Sequence, residues 1–118
     1  MRKNIKKTIN NTDKKIIYNF FLKNKEIYKH TPITAKGLSV LLGYDVKDVP
    51  LIIKEVNHDK GYKNIIIGSN VGYYFVEKDN IYKAFEILGE KITKSNNELE
   101  YAYYLKEKAL ILNEFRTI

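Results

Sequence analysis

The chain has 118 residues, 44% of them hydrophobic, with 21 Lys+Arg against 14 Asp+Glu, a net charge of +7 and no cysteine. That length suits one domain with its own core, and the missing cysteine excludes disulfides, thiolate metal sites and cysteine nucleophiles. The surplus charge points to a polyanionic partner, nucleic acid first, and no run approaches the ~18 apolar residues of a membrane span.

In chain order, Met1 to Lys15 is basic but leads into no apolar signal-peptide core, because Lys23, Asn24, Lys25 and Glu26 interrupt it. A cytoplasmic protein without membrane contact is the expectation. Asn11-Thr12-Asp13 is a run of capping residues. Ile16, Ile17, Phe20, Phe21 and Ile27 follow at helical spacing and predict a helix over Asp13–Ile27. Pro32-Ile33 reads as a short extended piece. Thr34 then caps a helix over Ala35–Leu42, with Leu38, Leu41 and Leu42 on its inner face and Gly43 as its left-handed stop.

Asp45 or Asp48 opens the next helix, which runs to about Asp59 with Gly61 as its stop. Pro50 fits only the first turn, so it favours Asp48. Val49, Ile52, Ile53 and Val56 form the inner stripe. Ile65-Ile66-Ile67 and Tyr73-Tyr74-Phe75-Val76, around Gly68 to Gly72, predict a hairpin. Tyr62, Tyr73 and Tyr74 are expected mainly in the core, and Tyr44 at the surface. Ile81, Phe85 and Leu88 restore the helical period. Ser95-Asn96-Asn97-Glu98 has the form of a capping box. Tyr101, Tyr104, Lys108, Ile111, Phe115 and Ile118 then recur at spacings of three and four.

Charge and composition are uneven along this order. Residues 1–15 carry +5, residues 16–78 carry +3 and residues 79–118 carry −1. Lys, Ile and Asn together supply 47 residues, a skew that fits A/T-rich coding in a low-GC bacterium, its phages or its plasmids. His30 and His58 lie far apart with no cysteine to complete a metal set. Gly68-Ser69-Asn70-Val71-Gly72 lacks the lysine and following helix of a phosphate-binding loop. No nucleophile–base pair is legible, so no enzyme, metal or cofactor is expected.

Residues 32–76 resemble the winged helix-turn-helix domains of phages and plasmids from low-GC bacteria, and those of the biotin operon repressor type. The likeness rests on Pro32 to Gly43, Ile52-Ile53, Val56, Gly61-Tyr62, Ile65 to Ile67 and Gly72-Tyr73-Tyr74. It implies an α+β, mostly α fold: a basic arm (1–12), a winged helix-turn-helix domain (13–78) with a two-stranded wing, and a C-terminal helical extension (79–118). It further implies double-stranded DNA as the partner, bound sequence-specifically without catalysis. Transcription regulation and an accessory role at an origin, partition or transfer site fit equally. In the latter the chain would resemble relaxosome accessory proteins of conjugative plasmids, with other proteins of a nucleoprotein complex as partners.

The helix after Gly43 departs from the family in its acids, Asp45, Asp48, Glu55 and Asp59, which suit phosphates poorly. Contacts are therefore expected mainly from arm and wing. The candidate set is Arg2, Lys3, Lys6, Lys7, Lys36, Tyr44, Lys47, Lys54, Lys63, Asn64, Ser69 and Asn70. The C-terminal stripe is open to two readings, an intramolecular core and a homodimer seam. The seam is the favoured one, formed by Tyr101, Tyr104, Leu105, Ile111, Leu112 and Phe115, because dimers suit paired half-sites. The competing functional expectation is a winged-helix module for protein contacts, such as a phage-encoded inhibitor.

Overall fold

A computed structural model describes residues 9–94 and 99–117, with side chains over 9–89 and 101–111. The protein is mostly helical with one two-stranded antiparallel sheet. Six α-helices are described: α1 (Asn11–Lys23), α2 (Lys25–Tyr28), α3 (Ala35–Leu42), α4 (Val49–His58), α5 (Ile81–Lys94) and α6 (Leu99–Thr117). Strands β1 (Ile65–Ser69) and β2 (Gly72–Val76) pair between α4 and α5, with Ile65 opposite Val76 and Ser69 opposite Gly72.

The triplet Ile65-Ile66-Ile67 explains the layering. Successive strand residues point to opposite faces, yet all three isoleucines are buried. Both faces of the sheet must therefore be covered. Ile66 and Phe75 face a core shared with Ile17, Phe21, Leu38, Ile52, Ile53 and Val56 from α1, α3 and α4. Ile65, Ile67 and Val76 face Ala84, Leu88, Ala102, Leu105 and Ala109 from α5 and α6. The hairpin is the middle layer between two helical layers.

The first expected helix is two. Its cap is Asn10, whose Oδ1 accepts from the Asp13 N–H at 2.9 Å, so α1 starts inside the span expected for the arm. It breaks at Asn24, whose Nδ2 donates to the Phe20 carbonyl at 2.8 Å and captures a helix-end acceptor. Ile17 and Phe21 are its fully buried residues, whereas Ile16 and Ile27 are exposed.

Helix α3 has its expected bounds: the Thr34 Oγ1 accepts from Gly37 N–H at 3.0 Å, and Gly43 closes it at φ 80°. Leu41, however, is 59% exposed. The stripe that meets the core is Ala35, Leu38 and Leu42, and Leu41 falls beside it. In α4 Pro50 occupies the first turn, and Val49, Ile52, Ile53 and Val56 are buried as expected. The helix ends at His58, before Gly61, because Asp59 turns extended and its Oδ1 accepts from Gly61 N–H at 2.8 Å.

Ile33 extends the sheet by one residue. Its N–H donates to the Tyr73 carbonyl at 3.0 Å and its carbonyl accepts from Tyr73 N–H at 2.8 Å. Gly72 permits that approach: at φ 135°, a Cβ there would stand 2.8 Å from the Ile33 oxygen. Lys29 ties α2 to the turn after β2. Its buried Nζ reaches Glu77 at 3.1 Å and Asp79 at 2.7 Å, beside the buried Asn80. Burial opposes its charge, but the Asp79 and Glu77 carboxylates outweigh it and hold its pKa above the ordinary lysine value.

The capping-box residues Ser95 to Glu98 lie outside the described residues. Among the described residues no helix is long and apolar enough to cross a membrane.

Candidate nucleic-acid interface

The α3–α4 pair and the hairpin are held as one unit by the shared core and by the Ile33–Tyr73 bridge. On this unit Lys36, Lys47, Lys54, Lys63 and Asn70 are exposed. Asn70 stands with Val71 at the hairpin tip, in the two-residue loop between β1 and β2. These five are the members of the candidate set whose side chains are presented to solvent. Arg2, Lys3, Lys6 and Lys7 lie outside the described residues.

Three members of the set are spent on the fold. Asn64 uses both ends of its amide: Oδ1 accepts from the Tyr18 hydroxyl at 2.7 Å, and Nδ2 donates to the Val76 carbonyl at 3.1 Å. Ser69 Oγ donates to the Gly72 carbonyl at 2.9 Å and accepts from Val71 N–H at 3.2 Å, closing the turn. Tyr44, expected at the surface, packs on the α1–α4 core and donates to Asp13 Oδ1 at 2.9 Å. Burial first, and the Asp13 carboxylate second, push its hydroxyl pKa up to about 12. Lys14, part of the basic start, is also committed, 2.8 Å from Asp59. Its hydrogen bond, with that of Gly61 N–H, holds the Asp59 carboxyl below its ordinary pKa.

The exposed side of α4 carries Pro50, Leu51, Lys54, Glu55 and His58. Two of its polar members lean toward α6. Lys54 Nζ lies 5.0 Å from the Tyr101 ring centroid, and the His58 ring stacks on Tyr104 at 4.5 Å. Between them in sequence is Asn57, buried and absent from the expected site. Its Nδ2 donates to the Ile66 carbonyl at 3.0 Å and to the Tyr101 hydroxyl at 2.9 Å, and its Oδ1 accepts from Ile66 N–H at 3.0 Å. Its own carbonyl accepts from the Tyr104 hydroxyl at 3.1 Å and Lys108 Nζ at 2.6 Å. Asn57 follows Val56 and lies four residues after Ile53, at the margin of the inner stripe. A polar residue at that margin was the available signal.

This hub engages three members of the expected seam within the chain. Tyr101 and Tyr104 bond to Asn57 within the chain, and Leu105 is 3% exposed in the chain's own core. Tyr101, Tyr104 and Leu105 turn inward because the outer face of the hairpin needs a cover. Ile111 is 53% exposed, and the side chains of Leu112 and Phe115 lie outside the described residues. Among the described residues no three His, Asp or Glu side chains converge on a metal-sized site. No protein-family model, curated protein or solved structure matches the chain.

Proposed function

We propose that residues 11–80 form a winged helix-turn-helix unit that binds duplex DNA, with α4 as the second helix of the motif and the β1–β2 hairpin as the wing. The observation that carries this is the single unit of α3, α4 and hairpin, pinned through Ile33–Tyr73, which presents Lys36, Lys47, Lys63 and Asn70. The engagement of Lys54 and His58 with the α6 rings supports contacts from wing and arm over α4. Side-chain amides at a wing tip reach groove acceptors or phosphates, and lysines supply the phosphate contacts.

Fluorescence anisotropy with labelled duplexes flanking its own gene tests the reading. Lys63→Ala and Asn70→Ala are expected to weaken binding more than Lys54→Ala. No binding at low salt overturns the proposal, and the opposite ranking returns the main contact to α4. A protein-contact module is the second reading, favoured by Val40, Leu41, Val46 and Leu51, all exposed on α3, the turn and α4. Replacing all four by serine leaves DNA affinity unchanged under the first reading.

A further inference from the structure

The two edges of the sheet are treated differently. On the β2 side, Tyr73 directs its N–H and carbonyl to Ile33, so neither turns toward Gly68, its partner on β1. The pair Gly68–Tyr73 is therefore a non-hydrogen-bonded pair of the ladder. On the β1 side, the carboxamide of Asn57 takes the place of a strand residue and binds both the N–H and the carbonyl of Ile66. Gly68 lies two residues further along. Its N–H and carbonyl point the same way as those of Ile66, and neither meets a partner among the described residues. A half-open peptide edge of this kind is a pairing surface for another chain.

That edge opens into a groove of about 290 Å³. Its walls lie on both sides of the sheet plane: Pro50 and Ile53 from α4 on one, Leu88 and Leu105 from α5 and α6 on the other. Lys54 and Tyr101 also line it, with the ammonium poised over the ring. Side chains alternating from an inserted strand would meet apolar walls on either side, and the cation is placed for a carboxylate beside them.

We propose that this groove receives an extended segment of a partner protein, which adds to β1 by a one-residue bridge at Gly68. The mate of this bridge exists on the opposite edge, where Ile33 makes the same two-bond ring with Tyr73 at 3.0 and 2.8 Å. The chemistry selects a segment with apolar residues flanking the bridging residue and an acidic residue reaching Lys54. The site stands on the sheet geometry and does not depend on DNA binding.

The probe is the peptide acetyl-Glu-Val-Ile-Val-Glu-amide, titrated to millimolar concentration into the ¹⁵N-labelled full chain. Controls are the same peptide N-methylated at Ile and a peptide with Lys in place of both Glu. The Gly68 amide resonance is expected to shift with the acidic peptide, with affinity about tenfold weaker for the N-methyl form. Lys54→Glu should reverse the preference to the Lys-ended peptide. An unmoved Gly68 resonance overturns the proposal, as does equal affinity for the N-methylated peptide. A Gly68 shift that follows protein concentration without peptide would assign the groove to a second copy of this chain and overturn it too.

Discussion

Asn57 joins three elements of the fold, α4, β1 and α6. It supplies the strand edge that β1 lacks and accepts α6 through its own carbonyl. Asn57→Ala leaves the Ile66 N–H and carbonyl buried without partners, each costing ~1–3 kcal/mol. A destabilisation of about 2–4 kcal/mol is expected in urea denaturation. Asn57→Asp keeps the acceptor for Ile66 N–H and should fall between wild type and Ala. Lys108 governs how the same junction responds to pH. Burial lowers its pKa to about 8 from an ordinary 10.5, against the upward pull of Asp59. Below about pH 8 folded and unfolded chains both hold the proton, and the cost of burying the charge is present in full. Between about pH 8 and 10.5 only the unfolded chain holds it, so this residue makes stability rise with pH there. Above ~10 the raised pKa of Tyr44 acts in the opposite direction, since its folded hydroxyl keeps a proton that the unfolded one releases. Thermal melts should therefore show a rising midpoint from about pH 8 toward 10, and Lys108→Met should remove that rise.

At the scale of elements, the sequence was most legible where one period and one cap agreed. Thr34, Gly43 and Pro50 placed α3 and the start of α4, because each acts through local backbone chemistry. The hairpin was equally plain from its β-rich runs around Gly and Asn. Legibility failed where a side chain's hydrogen bond or a tertiary cover decided the outcome. Asn24 breaks the first helix by bonding back to Phe20, which periodicity does not register. The Tyr101–Leu105 stripe was a sound amphipathic signal, but amphipathy does not say what covers it. The burial of all three isoleucines in Ile65–Ile67 supplies the answer: a strand apolar on both faces needs a second layer, and α5–α6 is that layer. Leu105→Ala should cost ~2–5 kcal/mol, as deletion of a buried leucine commonly does. Because Leu105 is buried within the chain, that destabilisation should be the same at micromolar and at hundredfold higher protein concentration. A cost that shrank with concentration would return Leu105 to a subunit interface.

For the molecule as a whole, the net charge of +7 conceals a division of labour. Part of it is internal. Lys14, Lys29 and Lys108 are bound to Asp59, to Glu77 and Asp79, and to a helix-end carbonyl. The candidate wing shrinks likewise, since Asn64 and Ser69 are bonded within the fold while Asn70 is exposed at its tip. Polar residues near a turn look alike in sequence whether they serve the turn or a ligand. If duplex DNA is the partner, deleting residues 1–8 takes Arg2, Lys3, Lys6 and Lys7 away from the phosphates. The slope of log affinity against log salt should then fall by at most ~3.6, at ~0.9 for each phosphate no longer neutralised. Lys54→Ala should lower it by less than the ~0.9 of a single phosphate.

The Ile66 N–H has a further use. It donates to a side chain of α4 that is itself bonded to α6, so one amide belongs to three elements. Its hydrogen exchange is a clock for the junction. Opening of α6 alone, with the β1–β2 ladder intact, should speed exchange at Ile66 while leaving Ile65 and Ile67 protected. Comparing those three neighbours would separate partial undocking of the C-terminal layer from global unfolding without any labelled partner.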